Sequence, residues 1–347
     1  MSNKKKGQKR LSPALTIILD ILLAAIVFGL LYGLLQLEKR SNMEPVQLPT
    51  PPAASSPSPG VTASPQPTQA PTLAPSDEPT IEPTTEPTED PQYAGTFGAK
   101  FGHLFAAPGE VISNETTYKS HNIYITLERH EGFDAVYFVA DIYVRELSFL
   151  KTAFSTEDWS YPGKVYADEI AENNNAILAI SGDYAIQNAG GLTIRNGVLF
   201  REMTGAMDLA VLYYDGTMKT YSPDEFSMDE VTESGAYQAW CFGPRLLING
   251  KAMEKFNSNL FPKNPRSAIG YYEPGHYCFV MIDGRQEGYS SGMNLAEMSQ
   301  LFEQLGCLEA YNLDGGQSAM LVFNGEIVNS PYNGGRPIGD IIYISEP

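Results

Sequence analysis

Histidine and cysteine are scarce in this chain, and their spacing excludes several chemistries. The four histidines, His103, His121, His130 and His276, form neither an H-E-x-x-H run nor a close pair, which argues against a histidine-based zinc site. The three cysteines, Cys241, Cys278 and Cys307, include no C-x-x-C pair, and their odd number forbids a fully paired disulfide framework. One disulfide and three reduced, buried thiols are both open. None lies in the first 40 residues, so there is no lipobox-type anchor. Positive charge is also thin. The formal net charge is −18, yet residues 1–40 carry Lys4, Lys5, Lys6, Lys9, Arg10, Lys39 and Arg40 against Asp20 and Glu38. That local +5 leaves −23 on the remainder, with no basic stripe to offset it, which excludes a nucleic-acid partner.

What is present at the N-terminus is a basic tail and then an apolar run. Leu15–Leu35 holds Asp20 as its only charge, and about 20 apolar residues span a bilayer core. The reading is a cytoplasmic tail over 1–14 and one transmembrane signal anchor over 15–37. The basic residues ahead of the run put the N-terminus in the cytoplasm and the C-terminal part outside the cell membrane. No small-x-small site closes the run, which argues against a cleaved signal peptide. Residues 38–92 read as a disordered linker: positions 44–92 hold 14 of the 25 prolines and no Lys or Arg. Such a composition cannot bury a core. In polyproline II form it would reach at most on the order of 150 Å.

Residues 93–347 read as one globular domain. Ile123–Leu127 alternates like a half-buried strand, Ala135–Val144 reads as another, and Ala176–Ser181 as a short buried one. Hairpin turns are expected at Asn196-Gly197, Asp215-Gly216, Asn249-Gly250 and Asn324-Gly325. Helices are expected at Val165–Glu172 and Asn294–Leu305. The second has a capping residue in Asn294, Glu297 at the capping-box position and Gly306 as its stop. Many strands and few helices give an α/β or α+β domain: a mixed, hairpin-rich β-sheet core with a few packed helices.

Chemistry concentrates between Asn264 and Asp340. Asp283 and Asp314 each follow a strand-like apolar run and precede glycine. Arg266, Arg285 and Arg336 stand in Gly- or Pro-flanked settings, and Ser267, Ser290 and Ser318 among small residues that let a ligand approach. D-G is also an ordinary turn, but D-G-G-Q-S at 314–318 exceeds what a two-residue turn requires. Gly316–Met320 lacks the closing glycine of a nucleophile elbow. No cofactor is required by these residues; a Ca²⁺ or Mg²⁺ bound by aspartates stays open.

The ordered set N-P-R-S-A-I-G, I-D-G-R, S-S-G-M-N-L-A-E, N-L-D-G-G-Q-S, V-N-S-P and R-P-I-G-D resembles the phosphodiester glycosidase family, whose bacterial members are often exopolysaccharide-associated. The upstream A-I-L-A-I-S-G-D-Y and W-C-F-G-P-R-L-L-I-N-G stretches match in order, so the resemblance runs over roughly Asn114–Ser345. Two positions depart from the pattern: Ser181-Gly182-Asp183-Tyr184-Ala185 stands where an Asn-Gly run is usual, and Gln317 where a third glycine is favoured. The resemblance implies an extracytoplasmic hydrolase that cleaves a sugar-1-phosphodiester in an envelope glycan or exopolysaccharide. It implies a carboxylate among Asp183, Asp314 and Asp283 for the oxocarbenium-like state or for water activation. Arg266 and Arg285 would clamp phosphate. Asn312 and Ser318 would orient the sugar, with Ser267, Ser290, Gly315, Gly316 and Arg336 completing the binding set. Two rivals are a non-catalytic envelope glycan-binding module and a metal-dependent phosphodiesterase.

Overall fold

Asn-Gly and Asp-Gly pairs set the hairpins. Asn196, Asn249 and Asn324 have φ of 52°, 49° and 51°, each followed by a glycine with φ between 74° and 86°. This is the left-handed pair that matches strand twist. The computed structural model describes residues 21–29, 31, 45–50, 97–157, 159, 163–186, 190–203, 205–260 and 262–347. The hairpin of Ile123–Gly132 and Ala135–Val144 turns on Phe133 and Asp134, both at positive φ, with no Asn-Gly signal.

The described strands form three sheets. In the nine-stranded sheet, Glu309–Asn312, Arg266–Glu273, His276–Ile282, Ala135–Val144 and Ile123–Gly132 lie side by side in that order. The five-stranded sheet sets Leu178–Ser181 between Leu321–Phe323 and Asp340–Ile344. In the six-stranded sheet Thr193–Arg195 lies between Val198–Arg201 and Ala236–Trp240. Every pairing among these strands is antiparallel, from the long hairpin of the nine-stranded sheet to the ladders of the other two. The domain is therefore the α+β of the two classes expected. Its hairpin-rich core is as read, but its sheets are not mixed in strand direction.

The central core draws on all three sheets, with Ile125, Ile142, Phe279, Tyr311, Leu178, Ile180, Ile342, Leu212 and Trp240 buried together. The helix Leu295–Leu305 covers the other face of the nine-stranded sheet. It sets Leu295, Met298, Leu301 and Phe302 on Val139, Val280, Ala268 and Ala310. Its capping box between Asn294 and Glu297 is formed, and Gly306 ends it at φ 81°. The other expected helix runs Ala167–Asn173 and packs Ile170 and Ala171 on the five-stranded sheet. All three cysteines are buried thiols; Sγ of Cys278 and Cys307 are 3.7 Å apart.

The linker reading needs one correction. Val46–Gln47 adds a strand to the six-stranded sheet, pairing with Leu199 and Val198. Leu48 follows it into the core beside Leu192, Ile194 and Leu199, with its N–H donated to the Gly197 carbonyl at 2.9 Å. Val46 and Leu48 are apolar residues in a polar stretch, and burial of Leu48 outweighs the composition around it. Residues 51–96 lie outside the described residues. Of the apolar run at 15–37, residues 21–29 are helical, with Ile21, Leu22, Leu23, Ile26, Val27 and Phe28 exposed. Among the described residues no helix is long and apolar enough to cross a membrane. The basic tail over 1–14 lies outside the described residues.

Candidate active site

The ends of Leu178–Ser181 and Glu309–Asn312 are sewn together. Asp314 N–H donates to the Gly182 carbonyl at 3.0 Å, and the Ser181 hydroxyl donates to the Asp314 carbonyl at 2.9 Å. A side chain at Gly315 would strike the Pro265 carbonyl, its Cβ standing 2.6 Å from that oxygen, so glycine is what lets the loop approach. The D-G-G run is not a hairpin turn. It opens a short 3-10 turn over Gly316–Ser318.

Asp314 sits where these strand ends meet the 336 loop. Its Oδ2 accepts from Arg336 Nη2 at 3.1 Å, and Arg336 Nε donates to Ser318 Oγ at 2.7 Å. Burial raises the Asp314 carboxyl above the usual range, opposed by the Ser318 hydrogen bond and the Arg336 charge. Its side chain keeps 11% exposure, and that of Arg336 38%, so the pair reaches solvent.

Behind it stands a dry cluster. Asp183 Oδ1 accepts from Arg195 Nη2 at 2.5 Å and its Oδ2 from Cys241 N–H at 2.6 Å. Arg195 Nη2 also reaches Asp340 Oδ2 at 3.4 Å, which takes the Asp183 N–H at 3.2 Å. These three side chains are at most 2% exposed. Burial pushes the Asp340 carboxyl well above its ordinary value, the Asp183 charge adds to this, and Arg195 opposes it. Gly182 lies so close to Asp340 that a Cβ there would stand 2.2 Å from its Oδ2.

The other expected residues divide by what they already hold. Asp283 takes Asn329 Nδ2 at 2.8 Å, Tyr289 Oη at 2.9 Å and the Ser330 N–H on both oxygens, which fixes the 329–330 turn. Burial raises its carboxyl, offset in part by those bonds. Ser290 bridges the Asp283 carbonyl and Val136 N–H. Ser267 donates to the Ser181 carbonyl at 3.4 Å, and Asn312 to the Gly243 carbonyl at 2.7 Å. Arg266 is turned inward onto the carbonyls of Met293, Leu260 and Pro262; burial, with Arg285 adding, lowers it to about 10. Arg285, at φ 58°, is exposed, holds the Asn264 side-chain oxygen and stands over the Tyr332 ring. A Cβ on Gly316 would lie 3.5 Å from its Nη1, so Arg285 borders the Asp314 loop. Arg195, Asp340 and Tyr289 carry contacts that the sequence reading did not assign. Among the described residues no group of three or more His, Cys, Asp or Glu side chains stands together as a metal cluster.

The phosphodiester glycosidase family matches residues 174–345, which contain every one of these groups. Residues 174–345 belong to that family. The chain is 33% identical over 189 residues to the SPbeta prophage-derived uncharacterized protein YomE of Bacillus subtilis (strain 168), covering 51% of this chain and 29% of that one. It is 31% identical over 90 residues to mouse N-acetylglucosamine-1-phosphodiester alpha-N-acetylglucosaminidase, covering 24% of this chain and 17% of that one. The chain thus spans less than a third of the length of these curated relatives. Its fold is that of the zebrafish N-acetylglucosamine-1-phosphodiester alpha-N-acetylglucosaminidase catalytic domain, a structure auto-inhibited by its pro-peptide. The TM-score is 0.56 at 18% identity, over 69% of this chain and 88% of that one.

Proposed function

We propose that the domain hydrolyses a glycosyl phosphodiester, with Asp314 as the reacting carboxylate. The observation that carries this reading is the Asp314–Arg336 pair in a domain of this family: a largely buried carboxylate bound to a guanidinium that reaches solvent. Asp183 and Asp283 have both oxygens engaged by the protein, which makes them positioning residues here. In the reaction the bond between the anomeric carbon and the phosphate oxygen breaks, and positive charge develops on the sugar. Asp314 stabilises that charge, or takes a proton from water, while Arg336 meets the leaving phosphate. Water adds to the anomeric carbon, and the group that departs is a phosphate monoester, a stabilised anion, so little acid catalysis is needed.

Asp314→Asn should lower turnover of a sugar-1-phosphodiester by about two orders of magnitude or more. Melting should move little, because Ser318 still holds Arg336. Near-native turnover would remove Asp314 from the mechanism. Carrying out the cleavage in ¹⁸O-water separates the readings: label enters the sugar for a glycosidase and the phosphate for a phosphodiesterase acting at phosphorus.

The substrate we infer is an envelope or exopolysaccharide glycan, met outside the cytoplasm. The basic N-terminus and the apolar run after it support this topology. Protease added to intact, wall-stripped cells should release the domain; full protection would overturn the topology.

A further inference from the structure

Tyr184 has a backbone conformation its side chain disfavours. Its φ is 62°, in the left-handed region where a bulky residue is uncommon. The surroundings enforce it. Gly182 is pressed on Asp340, Asp183 N–H is held by that carboxylate, and Arg201 Nη2 takes the Ala185 carbonyl at 2.9 Å. The result is a ring flanked by two cations. The Arg336 guanidinium stands 5.6 Å from its centroid and Lys164 Nζ 5.5 Å. Each contact is favourable to the ring, but each cation repels the other.

The two cations differ in their partners. Arg336 is anchored by Asp314 and Ser318. Lys164 is exposed and, among the described residues, makes no hydrogen bond or ion pair; its Nζ stands over the Tyr184 ring. Lys164 also lies ahead of the family-matched residues 174–345. The whole chain carries −18, a field that repels an anionic substrate. Two cations around one ring, one of them bound to Asp314, offset that field locally.

We propose that Lys164, Tyr184 and Arg336 form the subsite for the phosphate of a glycosyl phosphodiester, and that Lys164 sets the preference for an anionic over a neutral leaving group. This rests on the glycosidase reading of Asp314. Arg336 takes one non-bridging phosphate oxygen as the fixed donor. Lys164 meets the other as a mobile charge on a flexible stem. Tyr184 spaces the two and closes the floor between them. Lys164 is a specificity-determining residue and forms no bond to the reacting carbon.

The test uses the full chain with two substrates of one sugar: the methyl phosphodiester of N-acetylglucosamine 1-phosphate and the uncharged p-nitrophenyl glycoside. Lys164→Gln should raise KM for the phosphodiester about three- to fivefold, the size of an exposed ion pair. It should leave kcat, and both constants for the neutral glycoside, unchanged. Lys164→Arg should restore the phosphodiester KM, and the salt dependence of kcat/KM should weaken in Lys164→Gln. Equal effects on both substrates, or none on either, would overturn the subsite. The methyl C-phosphonate analogue, titrated calorimetrically, separates the two claims. Lys164-dependent binding without turnover of either substrate would keep the subsite and sink the hydrolase reading. Absence of binding by the native chain would sink the subsite.

Discussion

Single residues carry the chemistry here through their partners, and the partners are what the sequence hides. Asp314, Ser318 and Arg336 were legible because they sit in glycine-flanked runs, and the fold brings them to within 3.1 Å of one another in a chain. Arg195 was not legible. It stands just before the Asn196-Gly197 turn, yet its partner Asp340 lies 145 positions away. Only the sheet topology closes that distance. Lys164 was invisible for the same reason, since its contact with Tyr184 crosses from one loop to another. Conversely, an arginine in a motif need not face a ligand: Arg266 spends its donors on three carbonyls. Asp340→Asn tests the dry cluster. Burial raises the Asp340 carboxyl, so as pH rises past the usual carboxylate range the native state gives up this proton later than the unfolded chain does. Stability from this group is therefore present at low pH and falls as pH rises through its raised value. The melting midpoint should climb from pH 7.5 to pH 5, and climb less in Asp340→Asn. An unchanged climb would show that Asp340 does not titrate in that window.

Elements with local signals were the readable ones. Three Asn-Gly turns at positive φ and a capping box need only neighbours a few positions apart, so sequence states them directly. The Phe133–Asp134 turn has no such signal; the ten paired positions of its two long strands force it. Strand direction was the larger gap, because period-two patterning is the same in parallel and antiparallel sheets. The two-residue strand Val46–Gln47 shows how a short apolar pair inside a proline-rich stretch escapes a composition argument. Leu48→Asp would place a charge in the pocket of Leu192, Ile194 and Leu199. Its amide and that of Gln47 should then exchange with solvent at unprotected rates, with the global melting point nearly unmoved. Slow exchange in Leu48→Asp would mean that backbone pairing alone holds the strand.

At the scale of the whole molecule, three sheets share one core, and the Asp314–Arg336 pair stands beyond their strand ends. Acidification should favour this fold twice over, by protonating raised carboxyls at Asp283, Glu309, Asp314 and Asp340 and by relieving the repulsion of a net −18. The docking of residues 45–50 also changes what the proline-rich stretch can do. A chain fixed to the domain at both of its ends is a closed loop, and its contour no longer adds to the distance between the domain and whatever holds residue 37. That distance is left to residues 38–44, which even when fully stretched span only about 25 Å. The spacer that composition reads as a long mast is, with this strand in place, a short leash. On the topology we infer, a domain held this way would stay close to its point of attachment rather than range through the depth of an envelope.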